Sequence, residues 1–225
     1  MRKNAPMTAA GFADEGEPHA SDQPRLDHPF RTRLLDGLAA SIEERGYRET
    51  TVADIVRHAK TSKRTFYSHF VSKDECLLEL LDIDNARMID DILRAVDPEA
   101  HWYRQVEQAI TSYVSTIASR PAIWLAWIRE FPALGDRARP VQRRSMERLT
   151  DMLITLTGNP GFLRAEFPPV SRSLALILLG GLRELTANTM EDGDDIRGIA
   201  DTAVAACAAL LSHGHPGGDR RPETR

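Results

Sequence analysis

The sequence contains few cysteines and no long hydrophobic run. Its two cysteines, Cys76 and Cys207, lie far apart among 225 residues and form no CxxC pair. This spacing favours buried free thiols in a reducing cytoplasm over disulfides. The longest apolar run, Leu174–Leu182, is too short to cross a bilayer. The first twenty residues lack the continuous apolar core of a signal peptide, so we expect a cytoplasmic protein without membrane contact.

Catalytic and metal-binding motifs are also missing. The chain has no G-x-S-x-G elbow, Walker loop, HExxH pair or paired-cysteine metal site. His213 and His215 are more typical of a polar tail than of metal ligands, because nothing fixes their geometry. We therefore expect a protein that is not an enzyme and that needs no cofactor or metal.

The chain has no overall excess of positive charge, since its formal net charge is -4. This balance argues against a generally basic coat for nucleic acid. The charge is uneven, however, because residues 30–70 carry about eight Lys or Arg against five acids. Such an asymmetry fits a small DNA-binding head on a body that does not touch DNA.

Apolar residues recur at helical spacing along most of the chain, and no segment alternates like a strand. We predict an all-α protein with a three-helix domain at residues 29–73 and a helical body at residues 74–212. Residues 1–28 and 213–225 are polar and aperiodic, and we interpret them as disordered tails. The predicted helices of the body after the fourth helix are Glu99–Ser119, Pro121–Phe131, Asp136–Thr157, Val170–Met190 and Asp194–Ser212.

The fourth helix is predicted to be long. Ser72 and Glu75 form a capping-box pattern at its start, with Ser72 as the cap and Glu75 reaching back. The apolar pattern then continues to Asp97-Pro98. A helix of this length can touch the first domain with its first turns and the body with its last.

Residues 50–73 predict two short helices joined by a tight turn. Thr51 is a good cap for the first helix, and Ser62 is a good cap for the second, Lys63–Phe70. Phe66 and Phe70 lie one turn apart and can pack inward, which leaves the cationic and polar residues on other faces. Residues 57–73 hold five Lys or Arg, two His and no acid. This is the geometry of a helix-turn-helix that places its second helix in the DNA major groove, although a solvated charged face would give the same pattern.

The order T-V-x-x-I-x-x-x-A-x-x-S-x-x-T-F-Y-x-x-F-x-x-K, followed by a long helix, resembles the N-terminal domain of the tetracycline-repressor (TetR) family over roughly residues 30–81. Lys60 departs from that pattern, because members often carry Gly in the turn. The resemblance implies that Lys63, Arg64 and Thr65 contact base edges, and that Tyr67, His69 and Lys73 hold phosphates. Tyr67 could instead be a core aromatic and His69 an exposed helix residue. Thr51 and Ser62 can add hydroxyl and backbone N–H contacts to phosphate.

The last two helices carry many small and apolar residues. Leu174, Leu178, Gly181 and Leu185 recur on one face of the penultimate helix, and the last helix is apolar over a wide arc. The resemblance implies a homodimer through these two helices, with the monomer core as the alternative use of the same face.

The middle helices hold most of the large aromatic side chains. In relatives this region encloses an inducer pocket, and the resemblance implies an unknown small-molecule ligand here. Core filling and surface ion pairs would explain the same residues. The candidate ligand-binding residues are Trp102, Trp124, Trp127, Arg129, Phe131 and Arg183.

The sequence therefore predicts a ligand-responsive DNA-binding transcriptional regulator, most often a repressor in this family, that binds a palindromic operator as a homodimer. The alternative is a helical ligand-binding or scaffold protein whose head no longer binds DNA.

Overall fold

The computed structural model describes residues 29–212. The two predicted tails, residues 1–28 and 213–225, lie outside the described residues. Within residues 29–212 the chain forms ten α-helices and two 3-10 segments and contains no strand. The helices are α1 Pro29–Glu49, α2 Val52–His58, α3 Lys63–His69, α4 Lys73–Ala95, α5 Trp102–Ser119, α6 Pro121–Arg129, α7 Arg139–Thr157, α8 Pro160–Leu163, α9 Arg172–Glu191 and α10 Ala200–Ser212.

Several helix boundaries differ from the predicted ones, and the largest differences arise because turns and 3-10 segments take up residues that the pattern assigned to helices. The helix predicted from Glu99 begins at Trp102, since Ala100 N–H bonds back to Asp97 O at 3.1 Å and His101 caps α5. The helix predicted from Asp136 begins at Arg139, because a 3-10 segment occupies Phe131–Arg137. A second 3-10 segment, Ile196–Ile199, precedes α10.

Gly46 ends the regular part of α1. Its φ of 77° lies in the left-handed region, so the residues after it turn away from the helix axis. Ser72 caps α4 as predicted, but the Glu75 carboxylate accepts from Val71 N–H at 2.6 Å and not from the cap residue itself.

Two hydrophobic clusters hold the chain together. The first joins α1, α2 and α3 to the first half of α4 and also takes in Ile123 and Ala126 of α6. The second lies among α4, α5, α7, α9 and α10. Because α4 contributes to both clusters, with Leu77 and Leu81 in the first and Met88 and Ile92 in the second, it connects them. The first cluster therefore extends past the predicted domain boundary at residue 73.

None of the helices between residues 29 and 212 is both long enough and apolar enough to span a membrane.

Candidate nucleic-acid interface and body cavity

The start of α2 is fixed by a reciprocal cap. Asp54 N–H donates to Thr51 Oγ1 at 3.3 Å, and Thr51 N–H donates to Asp54 Oδ2 at 3.0 Å. Thr51 Oγ1 also donates to Asp54 Oδ2 at 2.6 Å. These bonds, first the one from the Thr51 hydroxyl, lower the pKa of Asp54 to about 2. The Thr51 hydroxyl is thus engaged within the protein, at an exposed position.

The turn before α3 carries a strained residue and a second cap. Lys60 has a φ of 49°, so this non-glycine residue takes the left-handed conformation. Ser62 Oγ accepts from Thr65 N–H at 3.1 Å and starts α3. The structure therefore makes the turn in the form that glycine would favour.

Helix α3 is divided into a buried and an exposed face. Phe66 and Phe70 are buried in the first cluster. Lys63 and Arg64 are exposed, and Tyr67 keeps 58% of its surface exposed. Tyr67 contacts the Phe66 ring edge-on at 5.3 Å between centroids, so it is not a core aromatic. Thr65 and His69 are half-buried at the rim of the same helix.

No carboxylate within residues 29–212 pairs with Lys63 or Arg64. The cations of α2 differ in this respect. The Glu44 carboxylate accepts from Arg57 at 3.0 Å and contacts His58 Nε2 at 2.8 Å. The unpaired positive charge of the helix-turn-helix therefore lies on α3 and on Lys60 in the turn before it.

Lys73 is placed differently from the other predicted DNA contacts. Its ammonium donates to Tyr47 O at 2.9 Å and Thr50 O at 2.7 Å and lies 4.2 Å from the centre of the Tyr47 ring. Burial lowers the pKa of Lys73. In this structure the side chain braces the chain between α1 and α2, and its charge does not point to solvent beside α3.

Arg31 is a second brace; from the sequence its place at the start of the first helix had suggested either a contact to the DNA backbone or simple solvation. Its guanidinium donates to Glu79 on α4 and to His69 O at 3.0 Å, and it lies 4.5 Å from the centre of the Phe70 ring. Arg31 thereby fixes the end of α3 between α1 and α4. Sequence alone gives little sign of this, because the partners lie 38 and 48 residues away.

The body encloses an apolar cavity of about 130 Å³ between α4, α5, α6, α7, α9 and α10. Four of the six candidate ligand-binding residues line it: Trp124, Trp127, Phe131 and Arg183. The Trp127 and Phe131 rings stack with centroids 4.7 Å apart.

Trp102 and Arg129 do not line the cavity, contrary to expectation. Trp102 packs against Phe162 and Phe167 at the far end of the body. Arg129 is held outside by Glu184 at 3.0 Å and Glu191 at 2.7 Å. An arginine with two carboxylate partners is already neutralised and is a poor candidate for a further anion.

Asn85 is a cavity residue that the sequence interpretation missed. It lies on α4 and is completely buried, and neither its amide nitrogen nor its oxygen has a hydrogen-bond partner in the described structure. A signal was present, since Asn85 interrupts the apolar stripe that runs from Leu81 to Ile92. Polar residues at such positions require a partner.

The geometry is that of helix-turn-helix proteins: two seven-residue helices joined by a short turn, with cations on the exposed face of the second. Residues 34–80 match the family model described as bacterial regulatory proteins, tetR family. The N-terminal domain is therefore similar to this family, which confirms the resemblance drawn from the sequence.

Two curated relatives are similar to part of the chain. One is the HTH-type transcriptional regulator YxbF of Bacillus subtilis (strain 168), 29% identical over 99 residues, which are 44% of this chain and 25% of that protein. The other is the HTH-type transcriptional regulator HbdR of Aromatoleum sp. (strain CIB), 27% identical over 115 residues, or 51% of this chain and 50% of that protein. The matched region thus spans half or less of the length of these relatives.

Solved structures share the fold over most of the chain. The fatty acid degradation regulator FadR from Bacillus halodurans superposes with a TM-score of 0.67 at 19% identity, covering 88% of this chain and all of that one. FadR from Bacillus subtilis, in complex with stearoyl-CoA, gives a TM-score of 0.68 at 16% identity over 82% of this chain and 99% of its own. At these identities the likeness establishes the all-α fold.

Proposed function

We propose that the protein is a homodimeric transcriptional regulator, a repressor that binds a near-palindromic operator and releases it when a small molecule occupies the body cavity. The observation that carries the proposal is the exposed face of α3, where Lys63 and Arg64 have no acidic partner within residues 29–212. Arg and Lys can hydrogen-bond guanine N7 and O6, and the Thr65 methyl can contact thymine.

The support differs among the predicted DNA contacts. Exposure favours Lys63, Arg64 and Tyr67, while Thr65 and Ser62 lie beside them at the start of the same helix. Lys73 is the weakest of the set, since its ammonium is bonded to backbone carbonyls. Within the proposal Lys73 stabilises the domain, and the α3 residues carry recognition.

A dimer through α9 and α10 is supported by exposed apolar surface. Ile177 is 62% exposed, Leu176 47% and Leu210 36%. Leu178, which the sequence placed on the dimer face, packs in the body core instead. The exposed face of α9 is the neighbouring one, and Gly181 leaves open space there for a second helix. A two-fold axis here would place two α3 helices about 34–36 Å apart, or a multiple of this distance.

Helix α4 is the proposed connection between cavity and DNA. Asn85, Met88 and Ile92 line the cavity, while Leu77 and Leu81 on the same helix pack in the first cluster. A ligand that favours the non-binding state by ~3 kcal/mol lowers DNA affinity about a hundredfold. The stearoyl-CoA in the related FadR structure supports the presence of a ligand site in such a body.

The test is binding to the DNA upstream of the protein's own gene, measured by fluorescence anisotropy over a range of salt concentrations. We expect the logarithm of affinity to fall linearly with the logarithm of salt, with a slope of about −0.9 per neutralised phosphate. The Lys63→Ala/Arg64→Ala variant should bind at least ~10-fold more weakly, since one base contact contributes about 1–3 kcal/mol.

The matched control is Arg104→Ala/Arg164→Ala, which also removes two exposed arginines, but from parts of the body outside both α3 and the proposed dimer helices, where they pair with Glu107 and Glu99. This control should bind like the wild type. Equal losses in both variants, or an absence of salt-dependent binding, would favour the alternative of a helical ligand-binding or scaffold protein.

A further inference from the structure

The body cavity is small and almost entirely apolar. Its volume of about 130 Å³ is close to the roughly 150 Å³ of an engineered protein cavity that binds benzene. Trp124, Trp127, Phe131 and Tyr113 give it an aromatic wall. A compact hydrocarbon body of about the size of one ring fits this space, and a long acyl chain requires the cavity to open further.

Asn85 supplies a hydrogen-bonding point in this apolar wall. The side chain has no exposed surface, and both amide atoms are without partners among the described residues. Leaving such a group unpaired destabilises the folded protein. A ligand oxygen that accepts from the amide nitrogen, or a hydroxyl that donates to the amide oxygen, would relieve that cost.

Arg183 supplies a charge. It lines the cavity from α9, its Nε is buried without a partner, and it makes no ion pair within residues 29–212. The adjacent carboxylate, Glu184, is already bonded to Arg129 by two contacts of 3.0 and 3.1 Å. A cation beside an apolar cavity without a counter-ion favours an anionic ligand group.

Tyr113 lines the cavity near Arg183, and Thr186 is its hydrogen-bond partner. Tyr113 Oη and Thr186 Oγ1 are 2.7 Å apart; Thr186 is buried and Tyr113 is half-buried. Burial raises the pKa of Tyr113 to about 12, with the hydrogen bond between Tyr113 and Thr186 and the charge of Arg183 acting in the opposite direction. Tyr113 is therefore neutral at physiological pH and does not neutralise Arg183.

We propose that the cavity binds a compact aromatic carboxylate that carries a second oxygen, with the carboxylate held by Arg183 and the second oxygen by Asn85. The inference rests on the ligand-responsive part of the proposed function and specifies its ligand class. The ring lies against the Trp124 and Trp127 wall, and hydrogen bonds at two points set the orientation.

The test uses the three hydroxyphenylacetates, phenylacetate, the corresponding hydroxyphenylacetamides and stearoyl-CoA, each titrated into the full chain. Binding is followed by calorimetry and by tryptophan fluorescence, since two of the three tryptophans line the cavity. We expect one hydroxyphenylacetate to bind about 10- to 100-fold more tightly than its amide, because a hydrogen bond to a charged group is the stronger one. Phenylacetate should bind more weakly than the same hydroxyphenylacetate. Stearoyl-CoA should bind more weakly than each of the small acids.

Variants assign the two contacts. Arg183→Gln should abolish the preference of acid over amide, and Arg183→Lys should restore part of it. Asn85→Leu should abolish the preference for the hydroxyl, and it should raise the melting temperature of the ligand-free protein by about 2–6 °C because an unpaired polar group is removed. Gln108→Leu replaces a half-buried amide of α5 that does not line the cavity and serves as the control, with both preferences retained.

Three results would overturn the inference: equal affinity for acid and amide, unchanged preferences in both the Arg183 and Asn85 variants, or binding of stearoyl-CoA alone. DNA binding without ligand, measured in parallel, separates this inference from the proposed function. Loss of DNA binding with intact acid binding contradicts the regulator, whereas intact DNA binding with no acid binding contradicts only the ligand class.

Discussion

Lys60 shows how one residue can store strain at the turn before α3. Its φ of 49° places an L side chain in the left-handed region, which costs roughly 1–2 kcal/mol relative to ordinary helical backbone. Lys60 is exposed, so no burial offsets this cost directly. The turn keeps its shape because Thr61 N–H bonds to Val56 O at 3.0 Å and Ser62 caps the next helix.

We expect Lys60→Gly to stabilise the protein. The strain that is relieved in the folded state should outweigh the entropic stabilisation of the unfolded chain by glycine. The free energy of unfolding, measured in urea, should therefore rise by about 0.5–1 kcal/mol. Lys60→Asn, a residue that tolerates this conformation better than Lys, should fall between the two. A Gly variant less stable than the wild type would contradict the assignment of strain to Lys60.

Lys73 tests whether a predicted DNA contact is a structural brace. Its ammonium satisfies two carbonyls at the end of α1, so Lys73→Met should lower the free energy of unfolding by about 1–2 kcal/mol. The salt slope of DNA binding should keep its wild-type value, because no phosphate contact is lost. A slope reduced by about one unit with unchanged stability would instead favour the phosphate contact that the sequence predicted.

At the scale of elements, the cap of α2 links stability to pH. The folded-state pKa of Asp54 is lowered to about 2 from an ordinary value of 3.8. A carboxylate with a lowered pKa contributes stability that is fully present above its unfolded pKa and is lost as pH falls through the folded one. The contribution of Asp54 should therefore disappear between about pH 4 and pH 2.

We expect Asp54→Asn to be less stable than the wild type at pH 7 and to approach it as pH falls through that window. Thr51→Ala, which removes the cap hydroxyl, should cost about 1 kcal/mol at neutral pH. Denaturant unfolding at a series of pH values measures both. A stability difference between Asp54→Asn and wild type that stays constant down to pH 2 would show that the carboxylate charge has no part in the cap.

Local signals in the sequence located most elements correctly. The caps at Thr51 and Ser62 and the pair Phe66 and Phe70 fixed α2 and α3, because their causes lie within a few residues. The start of α7 was wrong, since the 3-10 segment before it depends on burying Phe131 against distant helices. The spacing of apolar residues predicts that a helix is present, but the residue at which α7 begins after the 3-10 segment depends on tertiary packing.

The cavity was harder to predict than the head because its residues meet only in three dimensions. Trp124 and Trp127 share a helix, but whether Arg183 or Arg129 faced inward depended on which one met acidic partners. Arg129 meets Glu184 and Glu191 outside the cavity, which leaves Arg183 without a counter-ion. The pattern of residues within each helix does not distinguish which of the two arginines faces the cavity.

At the scale of the whole molecule, the main exposed apolar surface considered for assembly is formed by α9 and α10. Both faces of α9 are rich in leucine, so periodicity could not decide which one packs in the core, and the structure buries Leu178 there, as in the alternative that the sequence left open. The structure leaves Leu176, Ile177 and Leu210 in solvent. Apolar side chains exposed together on neighbouring helices are typical of an interaction surface.

We expect the protein to be a dimer in solution and Ile177→Glu to convert it to a monomer, because a charge at the centre of an apolar interface is left desolvated. Light scattering after size-exclusion chromatography measures the mass directly.

The monomer should keep its helical circular dichroism, since Ile177 supports no core contact. It should bind operator DNA at least ~100-fold more weakly, because in the dimer the binding of one head holds the second head at a high effective concentration beside its own half-site. Thr111→Glu, an exposed change on α5 outside the proposed interface, is the matched control and should leave both mass and affinity unchanged. If Ile177→Glu remained dimeric and bound DNA normally, the two heads would have to be joined through another surface, and the operator spacing derived from α9 and α10 would no longer hold.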